Sequence, residues 1–314
     1  MAVGISARPG LAGKLVVTVV AILLASFAGV ASATTMGGAP TPAGGPPPAG
    51  SPTGTPSPAP SAGAISIVSA QTSPRKSFYF GFRYPKLTYT IASTQPQNDL
   101  VINVVDATGA VIRSFYRNDV EPNIASTIRW DGTTSEGRPA RNGDYSFRIE
   151  AQTGAVAARA VASTESLGLE FSFYGYAFPE LGPHDYGTAA DRFGAPRDGH
   201  THQGQDVMAA CGTPLVAARG GQVQYAGYEG SAGNYIVIDG KGTGYDFMYA
   251  HLAEPSPLHT GESVRTGQPI GIVGETGDAT ACHLHFEIWT APGWYQGGSP
   301  IDPLPFLKKW DVYS

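Results

Sequence analysis

The sequence predicts an all-β protein beyond about residue 65, on three observations. Short segments alternate apolar and polar residues and are broken by turn residues at short intervals. Hardly any convincing amphipathic helix follows residue 65. His283 and His285 stand one residue apart in Ala281-Cys282-His283-Leu284-His285-Phe286-Glu287-Ile288, so a strand there turns both imidazoles to one face and Leu284, Phe286 and Ile288 to the other.

The N-terminal residues read as an export signal. Arg8 and Lys14 precede an apolar run over residues 15–30, which ends in Ala31-Ser32-Ala33, a small-residue site suited to signal peptidase. The run is short for a membrane span, which needs about 20 residues. Residues 1–33 are therefore expected to be cleaved, with a retained N-terminal anchor as the alternative. Residues 34–64 are nearly all Pro, Gly, Ala, Ser and Thr, cannot bury a core, and are expected to form a disordered, partly polyproline tether.

Residues 65–160 read as an antiparallel sandwich. Its strand segments are Phe78-Tyr79-Phe80, Leu87 to Ile91, Leu100 to Val105, Val111 to Phe115 and Tyr145 to Ile149. Residues 161–182 are expected to connect this unit to the next. Phe171, Phe173, Tyr174 and Phe178 in that connector either cover a downstream groove or pack as an interdomain strand, and packing is the expectation.

The last unit, residues 183–314, carries the chemistry. Two imidazoles on one strand face are half of a metal site, and a tetrahedral zinc centre needs more. His200-Thr201-His202-Gln203-Gly204-Gln205-Asp206 offers an imidazole and a carboxylate. His, Asp and His would leave a fourth position for water, as a catalytic zinc requires. His251, in Tyr249-Ala250-His251-Leu252, is suited to acid/base chemistry. Tyr235 to Asp239 and Tyr245 to Tyr249 read as strands joined by a hairpin through Gly240-Lys241-Gly242-Thr243-Gly244. That turn is not a phosphate loop, because Tyr235 and Gly242 occupy positions needing Gly and Ser or Thr. Ser231 lacks the glycine of a nucleophile elbow at Glu229, and no His-Glu-x-x-His helix is present.

The ordered set His202-x-x-x-Asp206, His251 and His283-x-His285 resembles the M23 family of zinc metallopeptidases, the lysostaphin or LytM-type peptidoglycan endopeptidases. Cys211-Gly212-Thr213-Pro214, Gly261-Glu262-Ser263-Val264-Arg265-Thr266-Gly267-Gln268 and Gly271 to Thr276 extend the resemblance over about residues 183–310. It implies that His202, Asp206 and His285 bind one Zn2+ per catalytic domain. It further implies that His251 and His283 are the catalytic pair, one deprotonating water and the other stabilising the oxyanion. Glu287, on the same strand face, is a candidate to orient a ligand ring. His184, His200 and His259 read as ordinary polar residues; His200 competes with His202 for the first ligand position, and the family register favours His202.

If the three ligands converge, Cys211 and Cys282 are neighbours, and a disulfide is expected in an exported protein. A pair of zinc thiolates and a catalytic cysteine are the competing readings. Upstream, Ile128-Arg129-Trp130-Asp131-Gly132, Gly137 and Arg141-Asn142-Gly143-Asp144-Tyr145 resemble the immunoglobulin-like module of flagellar hook-capping proteins, with Trp130 as a core anchor. A spacer or wall-docking role is expected for it.

Residues 183–314 hold 7 Lys and Arg against 14 Asp and Glu, a net of −7, within a chain of net charge −5. Nucleic acid, whose binding depends on basic side chains, is excluded as a partner. Tyr225, Tyr228, Tyr235, Trp289, Trp294 and Tyr295 are candidate groove walls. The expectation is a monomeric zinc endopeptidase, secreted or wall-associated, without stable membrane insertion after signal cleavage. It would hydrolyse amide bonds in the stem or cross-bridge peptides of peptidoglycan. The alternatives are a non-enzymatic activator of another wall hydrolase and a wall-binding module with structural zinc.

Overall fold

The computed structural model describes residues 65–153, 156–160 and 168–314; the expected signal peptide and tether, and residues 161–167 of the expected connector, lie outside them. No helix among the described residues is long and apolar enough to cross a membrane.

Nine strands build the first part: β1 (Ser66–Ser73), β2 (Lys76–Phe78), β3 (Lys86–Ala92), β4 (Leu100–Asp106), β5 (Val111–Arg117), β6 (Ser126–Arg129), β7 (Gly143–Thr153), β8 (Val156–Ala160) and β9 (Glu170–Tyr174). One sheet has the order β1-β3-β6; the other has the order β2-β9-β7-β4-β5, with β8 against β7. Apolar residues at every second position of β3 and β7 enter one core with Trp130, which is fully buried. Trp130 lies 4.9–5.7 Å from the rings of Tyr145, Phe171 and Phe173, and its indole N–H donates to Thr133 O at 2.7 Å.

Strand β9 falls in the stretch expected to be a connector. It pairs in parallel with β2 and antiparallel with β7, and buries Phe171 and Phe173. Its alternation of Phe171 and Phe173 with Glu170 and Ser172 has a strand's period, so the sandwich continues past residue 160.

The second part contains β10 (His184–Asp185), β11 (Gln205–Ala209), β12 (Pro214–Val216), β13 (Gly221–Glu229), β14 (Gly233–Gly240), β15 (Tyr245–Leu252), β16 (Ser263–Val264), β17 (Pro269–Ile272), β18 (His283–Thr290), β19 (Pro300–Ile301) and α1 (Leu304–Asp311). The main sheet runs β10-β11-β18-β15-β14-β13-β16, with β19 on β18, and β12 pairs with β17. β14 and β15 form the expected hairpin, with Gly242 and Gly244 both at φ +70°.

Strand β18 sits between β11 and β15, and its two faces differ as the alternation predicts. Leu284, Phe286 and Ile288 are fully buried with Val207, Phe247 and Tyr249, each worth about 1.5–3 kcal/mol of burial. Helix α1 closes that core, with Leu307 and Trp310 spaced i,i+3 on its inner face. This one short helix departs from the strand-only reading, and Pro303 and Pro305 suit its first turn.

The two parts meet closely. Phe82 N–H donates to Thr266 O at 2.9 Å, Thr266 N–H to Phe80 O at 3.0 Å, and the Thr266 hydroxyl to Tyr79 O at 2.7 Å. The Arg219 guanidinium lies over Tyr79 and Tyr176, 4.4 and 5.1 Å from their ring centres. Tyr174 stacks on Tyr313 at 3.8 Å.

Candidate metal centre

Antiparallel register builds the site. Asp206 on β11 is directly opposite His285 on β18, and Met208 is opposite His283. Directly paired residues share a face, so the carboxylate and the imidazole meet across the ladder. His202 comes from the loop before β11, where its N–H donates to Ala195 O and its C=O accepts from Gly194 N–H, both at 2.8 Å. Gly204 lets that loop approach β18: a Cβ there would lie 2.6 Å from Phe286 O and 2.8 Å from the His285 ring.

Three atoms converge. His202 Nε2 and Asp206 Oδ1 are 3.0 Å apart, His202 Nε2 and His285 Nδ1 2.9 Å, and His285 Nδ1 and Asp206 Oδ1 2.9 Å. The far side of each ring is already committed. His202 Nδ1 donates to Arg192 O at 2.9 Å, and His285 Nε2 donates to Glu287 Oε1 at 3.0 Å. Because a carbonyl and a carboxylate only accept, both rings carry their neutral-state proton outward. With both rings neutral, two imidazole lone pairs and an anionic oxygen face one point, an arrangement that suits a bound cation. His202, Asp206 and His285 form a cluster able to bind a metal.

The electrostatics follow from these contacts. Burial opposes the Asp206 charge, yet the close contacts with the His202 and His285 rings outweigh it and hold its carboxyl well below the usual range. Burial opposes the His285 charge too, but hydrogen bonds to Asp206 and Glu287 raise its pKa to about 9, and a bound metal would displace that proton. Glu287 is also kept ionised. Burial works against its charge, and the contacts with His285, Trp289 and Trp294 outweigh it; its Oε2 accepts from both indoles, at 2.6 and 3.3 Å.

His251 reaches this face through a β-bulge. Ile236 pairs with Tyr249 and Asn234 with Leu252, so Ala250 and His251 together oppose Tyr235 alone. Uninterrupted alternation after Phe247 and Tyr249 would have put His251 in the core. Its φ of +62° is rare outside glycine, and the conformation is held by its N–H to Ala232 O at 2.9 Å and its Nδ1–H to Thr276 O at 2.8 Å. Burial, then the fields of His285 and His283, push its pKa down to about 4, leaving a neutral ring with Nε2 bare. The His251 ring centre is 4.7 Å from that of His283. His283 donates from Nδ1 to Ala281 O at 2.8 Å, and its Nε2 lies 3.6 Å from Asp206 Oδ1.

All of these groups open on a groove of about 900 Å³, walled by Tyr235, Trp294 and Tyr295. Of the other aromatic candidates, Trp289 is buried, Tyr228 is exposed away from the groove lining, and Tyr225 supports Trp294 at 5.3 Å. Cys211 and Cys282 are disulfide-bonded, joining the segment after Asp206 to the residue before His283, so neither is a thiolate ligand or nucleophile. His200 is exposed and lines the same groove outside the triangle, His259 is exposed, and His184 pairs with Asp311 at 3.2 Å and does not line the groove. Sequence reading missed Arg197, whose guanidinium contacts Asp206 at 3.1 Å; it sits in a loop without periodicity, where no pattern reveals which way a side chain turns.

Residues 200–303 match the profile of peptidase family M23, and residues 85–155 match the FlgD Ig-like domain. Among curated proteins, the chain is 42% identical over 87 residues to the peptidoglycan DD-endopeptidase ShyC of Vibrio cholerae, covering 28% of this chain and 20% of that protein. It is 35% identical over 114 residues to the glycyl-glycine endopeptidase ALE-1 of Staphylococcus capitis, covering 36% of this chain and 30% of that one. Among solved structures, the catalytic domain of lysostaphin from Staphylococcus simulans aligns at 31% identity and a TM-score of 0.35, covering 40% of this chain and 92% of the domain. The chain thus spans less than a third of the curated relatives' length.

Proposed function

We propose that this chain, which carries a peptidase family M23 domain behind a FlgD Ig-like domain, is a zinc endopeptidase that hydrolyses peptide bonds in the stem or cross-bridge of bacterial peptidoglycan. The observation that carries this reading is the triangle of His202 Nε2, Asp206 Oδ1 and His285 Nδ1, 2.9–3.0 Å on a side, beside a neutral His251 in an open groove.

In this reading His202, Asp206 and His285 hold one zinc ion. Zinc bound there would supply Lewis-acid polarisation of the scissile carbonyl and acidify a water molecule. His251 is the general base: Thr276 O fixes its Nδ1–H, so Nε2 is the nitrogen left to accept a proton, and burial keeps the ring uncharged beforehand. His283 is its counterpart. Its Nδ1–H is tied to Ala281 O, which turns Nε2 toward the site, 3.6 Å from Asp206 Oδ1, where an oxyanion or a leaving amine would lie. Glu287 holds the His285 ring, and the walls of Tyr235, Trp294 and Tyr295 orient the peptide.

The N-terminal segment, if cleaved after Ala33, delivers the protein outside the cell, where its disulfide is stable. The relatives' printed activities, on D,D bonds for ShyC and glycyl-glycine bonds for ALE-1, bracket the candidate substrates. The test is incubation of zinc-loaded protein with purified peptidoglycans of several chemotypes, followed by mass spectrometry of the new termini. New amines on stem or bridge peptides are expected; new reducing sugar ends would reject a peptidase.

A further inference from the structure

Arg197 contacts the proposed metal site from outside the ligand set. Its Nη2 donates to Asp206 Oδ2 at 3.1 Å, whereas Asp206 Oδ1 is the atom facing His202 and His285. The two oxygens of one carboxylate are thus divided between two partners. The guanidinium is itself held, because Nη1 donates to Ala190 O at 2.8 Å and the Arg197 backbone N–H donates to His200 O at 3.0 Å. The same loop carries the backbone and ring contacts that fix His202. On the carboxylate's side the contact is shielded from water, the Asp206 side chain being 7% exposed.

An aspartate can bind a metal through one oxygen or two. A second oxygen would take a coordination position that a catalytic zinc keeps for water or substrate. A guanidinium is always charged, and its planar fork can hold a carboxylate oxygen and a backbone carbonyl at once. We propose that Arg197 is a positioning residue that holds Asp206 Oδ2 off the metal, so that Asp206 ligates through Oδ1 alone and a coordination position stays open. This inference rests on the metal-centre reading above.

Cobalt(II) is the probe, because its visible d–d bands are intense in four-coordinate sites and weak when coordination rises. The comparison uses the full chain and its Arg197→Met and Arg197→Lys variants. Circular dichroism checks folding, and chelator competition gives the cobalt dissociation constant. Wild-type protein is expected to bind one cobalt with intense bands. Arg197→Met should lose band intensity as Oδ2 joins the metal, and bind cobalt about 10–100-fold more weakly. Arg197→Lys should recover part of both, since an ammonium can reach Oδ2 but cannot also hold Ala190 O. If Arg197→Met fails to fold, the Lys variant alone carries the comparison, and its bands should fall between the wild-type intensity and that of a six-coordinate site. A folded Arg197→Met, or a Lys variant standing in for it, with wild-type bands and affinity overturns the proposal, including the case in which only turnover falls. Wild-type protein that binds no cobalt would instead overturn the metal-centre reading.

Discussion

Asp206 and His285 face one another across the β11–β18 ladder, with Oδ1 and Nδ1 2.9 Å apart and their other polar atoms held by Arg197 and Glu287. A metal placed between them would meet side chains that are already oriented. His202→Ala, Asp206→Ala and His285→Ala are each expected to leave bound zinc well below one equivalent by elemental analysis. His251→Ala should keep its zinc and lose turnover. Zinc loss from His251→Ala equal to that of the ligand variants would end this division of roles.

Glu287→Gln tests the support behind His285. A glutamine can still accept from His285 Nε2, but its amide N–H2 then meets the indole N–H groups of Trp289 and Trp294, which now donate to Oε2. Three donors would crowd one place. The expected result is zinc affinity weaker by about 10–100-fold with the fold retained, measured by chelator competition.

The Cys211–Cys282 bond closes a loop with a sequence separation of 71. Loop-closure entropy for that length corresponds to about 4 kcal/mol. A Cys211→Ser/Cys282→Ser double variant is expected to unfold at lower denaturant concentration by roughly 2–4 kcal/mol. Thiol titration of the unfolded, unreduced wild-type protein should find no reactive thiol.

Glu180 predicts how stability depends on pH. It is 2% exposed, neither carboxyl oxygen has a hydrogen-bond partner among the described residues, and burial raises its pKa from 4.5 to about 7, with His184 opposing. A raised folded-state pKa means that the native state binds more protons, so stability falls as pH rises from about 4.5 to about 7. The full loss is about 3 kcal/mol. His184 acts with the same sign: burial lowers its pKa, but contacts with Gly182 and Asp311 raise it on balance, so its contribution fades as pH climbs above 6.5. Glu180→Gln should flatten the lower part of the profile in urea unfolding. An unchanged slope between pH 5 and pH 7 would contradict the assignment.

Arg219 ties the two folded parts together, stacking on Tyr79 and Tyr176 and donating to Gly175 O and Lys241 O. Its removal leaves two carbonyls short of partners and opens the aromatic sandwich. Arg219→Ala is expected to cost about 2–4 kcal/mol. Calorimetry should show the single wild-type transition separating into two as the parts uncouple; a downward shift of one intact transition would mean that other contacts hold them.

Much of the fold was legible because strands expose a period of two. The alternation through Leu284, Phe286 and Ile288 marks one face of β18 as core and the other as polar, and the hairpin glycines mark the turn between β14 and β15. The same period in Phe171 and Phe173 was present in the stretch read as a connector, and only pairing with β2 and β7 showed which sheet it joins. Helix α1 was missed because its eight residues, with prolines at the start, are too few to display a helical period clearly.

The site divides in the same way. The resemblance to the M23 pattern implied roles for His202, Asp206, His251, His283 and His285, and its register favoured His202 over His200. By itself the sequence determined the residue types, the strand period and the spacing. The tertiary structure alone decided the bulge that brings His251 out of the core face, the opposition of Asp206 to His285, and the contact of Arg197 with Asp206. The physical reason is that period and spacing are local properties of a chain. Register shifts and loop contacts depend instead on segments distant in sequence and on how their backbones satisfy one another's hydrogen bonds.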